Sequence, residues 1–249
     1  GVRIYYNIWQ WCTNSIIKKT MQTYNIKIFH HLTYGNSLWS VSSFGKKQFF
    51  IWGPTGGTET ISNDFTKHYA LKGQFIEAVR RLVVKSLKFN FFYLKRCQHA
   101  NLILCKTETQ IQKIPFPFRH KAVLFTDVAV NNFNIRKYEN REKKEKISYI
   151  LVGKLDPWRG FDIAIEAFAK AFVTNNNIRL KIVGDGIDKK RLQNLIRKRG
   201  LSDFIDMVGS VSVRRYKQLM QETDVVLNPS LKEGAVTISF DSMAMEKPL

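Results

Sequence analysis

From Ile147 onward the chain repeats one pattern four times, an apolar β-rich run followed by an apolar helical run, and few folds accept that order. Ile147 to Val152 reads as a strand and Phe161 to Val173 as a helix with Ile163, Ile165, Ala167, Phe168 and Phe172 turned inward. Ile178 to Val183 and Lys189 to Arg199 form the second pair, and Phe204 to Val208 with Arg214 to Gln221 the third. The fourth is Asp224 to Asn228 and the helical pattern inside Ser230 to Leu249. Parallel strands need crossovers, and helical crossovers cover both faces of the sheet, so the pattern predicts a doubly wound α/β domain. Its loops all leave strand C-termini and gather on one edge, where such sheets bind ligands.

The last of these loops carries the most chemistry. Glu233 and Gly234 fall at a strand-to-helix turn, where a carboxylate can face ligand hydroxyls. Phosphates can then sit over the free amides of Gly234 to Thr237. Asp241 follows about two helical turns later and stays near the same face. An acid that merely supports its helix, with one solvated aspartate, is the plain alternative.

The first half shows the same alternation less regularly. Val2 to Lys19 reads as a helix with aromatic faces, Ile26 to Phe29 as a short strand running into His30 and His31, and Lys47 to Trp52 as another strand. That strand enters Gly53-Pro-Thr-Gly-Gly-Thr-Glu59, where Gly56 and Gly57 permit close approach of backbone to a ligand. Phe75 to Gln98 reads as one long helix with an apolar stripe through Val79, Leu82 and Leu87 and many Lys and Arg elsewhere. A core helix with a solvated basic face is the expectation for it, and a helix lying on anionic lipid the alternative. Ala100 to Cys105 and Lys121 to Phe125 complete an α/β domain that lacks its opening strand. Asn131 to Lys146 is polar and reads as a linker, which divides the chain into domains at 1–130 and 147–249.

Composition narrows the partners. Forty basic against 20 acidic residues give +20, and residues 1–130 hold 18 of the basic and 5 of the acidic ones. Such an excess suits phosphorylated ligands, an anionic membrane surface or nucleic acid. No recognised nucleic-acid motif occurs and the charge is dispersed, so nucleic acid is not expected as a partner. No apolar run reaches the ~18 residues of a membrane span. Cys12, Cys97 and Cys105 have neither paired nor metal-type spacing, which predicts a reducing, cytoplasmic setting and no metal site. The chain starts without Met and stops just after Lys247-Pro248, so it reads as a fragment of a longer protein.

Taken together, these motifs resemble the retaining, nucleotide-sugar-dependent glycosyltransferases of family four, which have the GT-B fold of two Rossmann-like domains facing across a cleft. The resemblance rests on Val152-Gly-Lys-Leu-Asp-Pro-Trp-Arg-Gly160, Ile182-Val-Gly-Asp-Gly186, Val208-Gly209 and Asn228 to Gly234 with Asp241. In the first half it rests on His30 to Gly35, Trp52 to Gly57 and Lys106-Thr-Glu-Thr109. It implies that Lys154 and Arg159 neutralise the diphosphate of the donor, so that neither metal nor cofactor is required. It further implies that Glu233 contacts the transferred sugar, Asp241 the ribose, and Gly184 and Gly186 the donor loop. Gly56 and Gly57 would lie near the diphosphate, and His30 or His31 would face the sugar.

Four departures stand out: the order Lys154 then Arg159 is reversed, Asp241 replaces a glutamate, Thr58 a third glycine, and Lys27 an aspartate. The expected activity is sugar transfer from a UDP-, GDP- or similar sugar to a glycan or lipid-linked acceptor in cell-surface polysaccharide synthesis. The enzyme would work in the cytoplasm, peripherally on the inner membrane face. The alternatives are a catalytically degenerate nucleotide-binding relative and a basic polyanion-binding module.

Overall fold

The computed structural model describes residues 2–32, 35–39, 48–67, 69, 71–128, 145–232 and 236–249. The chain divides into two compact units, Gly1–Asp127 and Val128–Leu249. The expected linker at 131–146 lies almost wholly outside the described residues.

In the first unit, α1 (Val2–Thr23) leads to β1 (Ile28–His31), and β2 (Phe49–Thr55) to α2 (Asn63–Thr66) and α3 (Leu71–Ser86). Then come α4 (Phe91–His99), β3 (Leu102–Cys105), α5 (Glu108–Lys113) and β4 (Ala122–Leu124). The four strands are parallel in the order β1-β2-β3-β4. Phe50, Trp52, Tyr93, Cys97, Ile103 and Ile114 form its core. Desolvation there pushes the Cys97 thiol up to about 12 and Cys105 to about 11, so both behave as packing groups and not as nucleophiles.

The long helix expected at 75–98 is instead α3, a 3-10 turn at Leu87–Phe89, and α4. Asn90 causes the break: its extended backbone ends the turn, and its side chain accepts from the Tyr93 amide to cap α4. The phase of α3 also differs from expectation. Phe75, Val79 and Leu82 are exposed, and Val84 and Leu87 are the apolar residues that bury. The inward face is held instead by Arg80, whose guanidinium donates to the Gly57 and Glu59 carbonyls at 2.7 and 3.3 Å.

The second unit runs β5 (Ile147–Val152), α6 (Phe161–Thr174), β6 (Ile178–Val183), α7 (Lys189–Lys198), β7 (Ile205–Gly209), α8 (Val213–Glu222), β8 (Val225–Leu227) and α9 (Thr237–Ala244). Its strands are parallel in the order β7-β6-β5-β8. Successive side chains of a strand point to opposite faces. Accordingly Leu151 enters the core made with α6 and α7, while Ile150 enters the core made with α8 and α9. Burying each such side chain contributes roughly 1.5–3 kcal/mol, which makes the double winding obligatory for β5. In α6 the buried set is Phe161, Ala164, Ile165 and Phe168, whereas Ile163 and Ala167 face outward. The strand order reverses at β5: the chain moves out through β6 and β7, then returns to the other side of β5 as β8. Ligands bind in the crevice such a reversal opens at the strand C-termini.

Candidate functional site

Three loops meet at this reversal. After β5 the backbone turns through Gly153 (φ 156°), and after β6 through Gly184 (φ 136°). A Cβ on Gly184 would lie 1.9 Å from the Gly153 carbonyl oxygen, so the two loops touch backbone to backbone. The loop after β8 joins them: Leu231 donates its amide to the Trp158 carbonyl at 3.0 Å, and Arg159 reaches the Ser230 hydroxyl at 3.5 Å.

These loops place the basic pair. Arg159 ends a 3-10 turn at Pro157–Arg159, with its guanidinium 4.4 Å from the Trp158 ring centroid. That contact holds the planar fork in place. Lys154 lies 3.2 Å from Asp156 with its side chain 67% exposed, a pairing water screens strongly and an anionic ligand can replace. Two cavities open here. One, of about 420 Å³, is lined by Lys154, Gly184, Asp185, Ser210 and Tyr216. The other, of about 340 Å³, is lined by Arg159, Tyr216, Val236, Thr237 and Asp241. Both share Val152, Gly153 and Tyr216, so together they form one crevice with cationic groups along it.

Asp241 is only 8% exposed and accepts a 2.6 Å hydrogen bond from the Tyr216 hydroxyl. Burial, and then this carboxylate, push the Tyr216 phenol well above its ordinary value, so it remains a proton donor to Asp241. Tyr216→Phe strips a buried carboxylate of this donor and should lower the unfolding free energy by roughly 1–3 kcal/mol, read by urea denaturation. An unchanged midpoint would show that the pair contributes nothing.

Glu233 and Gly234 lie outside the described residues. The helix beyond them begins at Thr237, three residues later than a start at Gly234 implies. Of the other expected residues, Lys154, Arg159, Gly184 and Asp241 line the crevice, while Gly186 does not line it and packs against the loop after β5, where an added Cβ would lie 2.4 Å from the Leu155 carbonyl oxygen.

In the first unit the two histidines separate. His31 is buried, with Nε2 3.3 Å from the Tyr6 hydroxyl. His30 is exposed beside the strand end, with Nε2 2.8 Å from the Gly53 carbonyl. A carbonyl only accepts, so Nε2 of His30 carries the proton. Gly56 and Gly57 follow β2, but the Gly57 amide already donates to the Glu59 carboxylate at 2.8 Å. Thr58 is fully buried and donates to Gln110, which in turn donates to Ser37 at 2.8 Å. The threonine in place of a glycine is thus built into a polar network. Sequence reasoning missed Tyr216, Ser230 and Glu59. Tyr216 carried one signal, an aromatic residue in the first turn of a helix that leaves the same sheet edge. The other two had none, because their partners are set by loop contacts.

Two Rossmann-like units, each with a parallel sheet, the second with a cation-lined crevice at its strand reversal, are the components of the GT-B glycosyltransferase fold. Residues 132–249 match the family model of the glycosyl transferases group 1. An uncharacterised glycosyltransferase of Methanocaldococcus jannaschii is 24% identical over 169 residues, which cover 68% of this chain and 45% of that protein. The phosphatidylinositol N-acetylglucosaminyltransferase subunit of Schizosaccharomyces pombe is 24% identical over 187 residues, covering 74% and 39%. Among solved structures, the pneumococcal O-GlcNAc transferase in complex with UDP and GlcNAc superposes with a TM-score of 0.59 at 13% identity, covering 95% of this chain and 44% of that one. The chain thus spans less than half the length of these relatives.

Proposed function

We propose that the protein is a retaining, metal-independent hexosyltransferase that moves a sugar from a nucleotide-diphosphate sugar to a glycan or lipid-linked acceptor. The single observation that supports this most is the crevice at the β5 reversal, lined by Lys154, Arg159 and Asp241. It lies where a doubly wound sheet receives a nucleotide, and its own side chains supply positive charge there.

In this reading Lys154 and Arg159 hold the diphosphate and stabilise the charge that grows on it as the anomeric C–O bond breaks. The acceptor oxygen attacks the same face, and its proton passes to the departing phosphate oxygen, so no protein nucleophile is consumed. Asp241, presented by Tyr216, faces the ribose, while Glu233 orients the transferred sugar. His30, the exposed histidine of the pair, is the one assigned to the sugar. Positioning and fixed charge then supply the acceleration. The GlcNAc-transferring name of the yeast relative, which acts on phosphatidylinositol, and the UDP held by the pneumococcal structure support the donor and acceptor classes. The setting proposed is cell-surface polysaccharide synthesis, on the cytoplasmic side of a membrane.

The test uses the complete protein against a panel of nucleotide sugars. A matching donor should raise the thermal midpoint, since a ligand that binds only the folded state stabilises it. Glu233→Ala should then lower turnover by more than about tenfold with the midpoint of the free protein unchanged. Binding without release of nucleoside diphosphate would identify a degenerate relative, and no binding to any donor would remove the proposal.

A further inference from the structure

The outer face of α3 is built the wrong way round for a protein in water. Leu71, Phe75 and Leu82 are 85, 70 and 69% exposed. At 3.6 residues per turn they stand in one row with Val79 between them. The inward face carries, besides Val84, two charged residues: Arg80 grips the loop after β2 and Glu77 is only 6% exposed. Rolling the helix to hide its apolar row would therefore break Arg80 away from the Gly57 and Glu59 carbonyls. Beyond the helix end Phe89 and Phe92 are also 76 and 74% exposed. Isolated surface apolar side chains need no explanation, but a continuous row does.

Its charges identify the occupant. Between residues 71 and 99 the sequence has seven Lys and Arg and one acid, the buried Glu77. Arg81, Lys85, Lys88 and Lys95 flank the row, with Lys88 Nζ 4.9 Å from the Phe89 ring centroid and Lys95 Nζ 5.8 Å from that of Phe91. An aromatic and aliphatic row with ammonium groups along its border matches the boundary between acyl chains and anionic headgroups. A second copy of the same face would bring two such borders together and repel. Among the described residues no helix is long and apolar enough to cross a membrane, so attachment here would be lateral.

We propose that the outer face of α3, together with the exposed Phe89 and Phe92 that follow it in the chain, docks on an anionic lipid surface. This deepens the acceptor half of the function proposed above, since it would bring the protein to lipid-linked acceptors. It is tested without turnover, so it stands or falls separately from the donor reading.

The experiment is flotation of the complete protein with vesicles of phosphatidylcholine alone, or of phosphatidylcholine and phosphatidylglycerol in equal parts. Wild type should float with the anionic vesicles at low salt and be released as salt rises. Phe75→Glu with Leu82→Glu should cut the floated fraction by about tenfold, as should Lys85→Glu with Lys88→Glu. The thermal midpoint of the first double variant should stay at the wild-type value, because both side chains already face solvent. Three results would each overturn the proposal: wild type that stays with the bulk phase, variants that float like wild type, or a Phe75→Glu, Leu82→Glu protein whose midpoint falls. The last would show that another part of the chain covers the row. A change of sedimentation mass in that variant with vesicle binding intact would assign the face to a second copy and overturn it as well.

Discussion

Arg159→Ala in the complete protein should reduce kcat/KM for the nucleotide sugar by about 10²–10³, the loss typical of removing one fixed donor from a developing oxyanion. The expectation comes from how tightly the guanidinium is placed. It rests 4.4 Å from the Trp158 ring, reaches Ser230 and lines the cavity that also holds Asp241. A group positioned before the ligand arrives costs no reorganisation when charge develops. Arg159→Lys should recover only part of the loss, because an ammonium offers neither the planar fork nor the stacking on Trp158. Lys154, mostly exposed and, among the described residues, ion-paired with Asp156, should matter less. A change in kcat/KM below about threefold for Arg159→Ala would take the diphosphate away from this residue.

Gly184→Ala should cost about 3–5 kcal/mol or prevent the second unit from folding, the range reserved for a named steric failure. The new Cβ would sit 1.9 Å from the Gly153 carbonyl oxygen, and both partners are backbone, so no side chain can swing aside. The backbone also has φ 136°, a conformation that carries its own strain for any residue with a Cβ. Gly200→Ala is the control. There φ is 67° and nothing lies within 4 Å of the added carbon, so only the left-handed strain of about 1–2 kcal/mol remains. Urea unfolding followed by far-UV circular dichroism separates the two. Equal losses at both positions would mean that the contact of the β5 and β6 loops is not what holds the crevice together.

How far the site could be read in advance varied with the kind of signal. Asp241 was singled out from its spacing after the strand-to-helix turn, and Lys154, Arg159 and Gly184 through the family resemblance; the structure places all four along the crevice, because a doubly wound sheet gathers its strand-end loops on one edge. Tyr216 was not legible, since its role depends on α8 lying beside α9, which no local pattern states. Thr58 looked like a defect until Gln110, distant in the chain, proved to be its partner. The histidine pair could be narrowed only by burial: alternation puts His30 and His31 on opposite faces, but only the packing of Tyr6 of α1 shows which face is covered.

By itself the sequence determined the parallel double winding. Apolar runs of strand length alternating with apolar runs of helix length cannot bury their surfaces in any other simple order, and β5 and β6 fall at the bounds their composition marks. Tertiary structure alone decided the phase of the helices. In α3 an apolar row at helical spacing is the same pattern whether it faces a core or the outside, and a hold by Arg80 on the loop after β2 turned it outward. Periodicity records that a helix has two faces, and only the neighbours that pack against it choose which one is hidden.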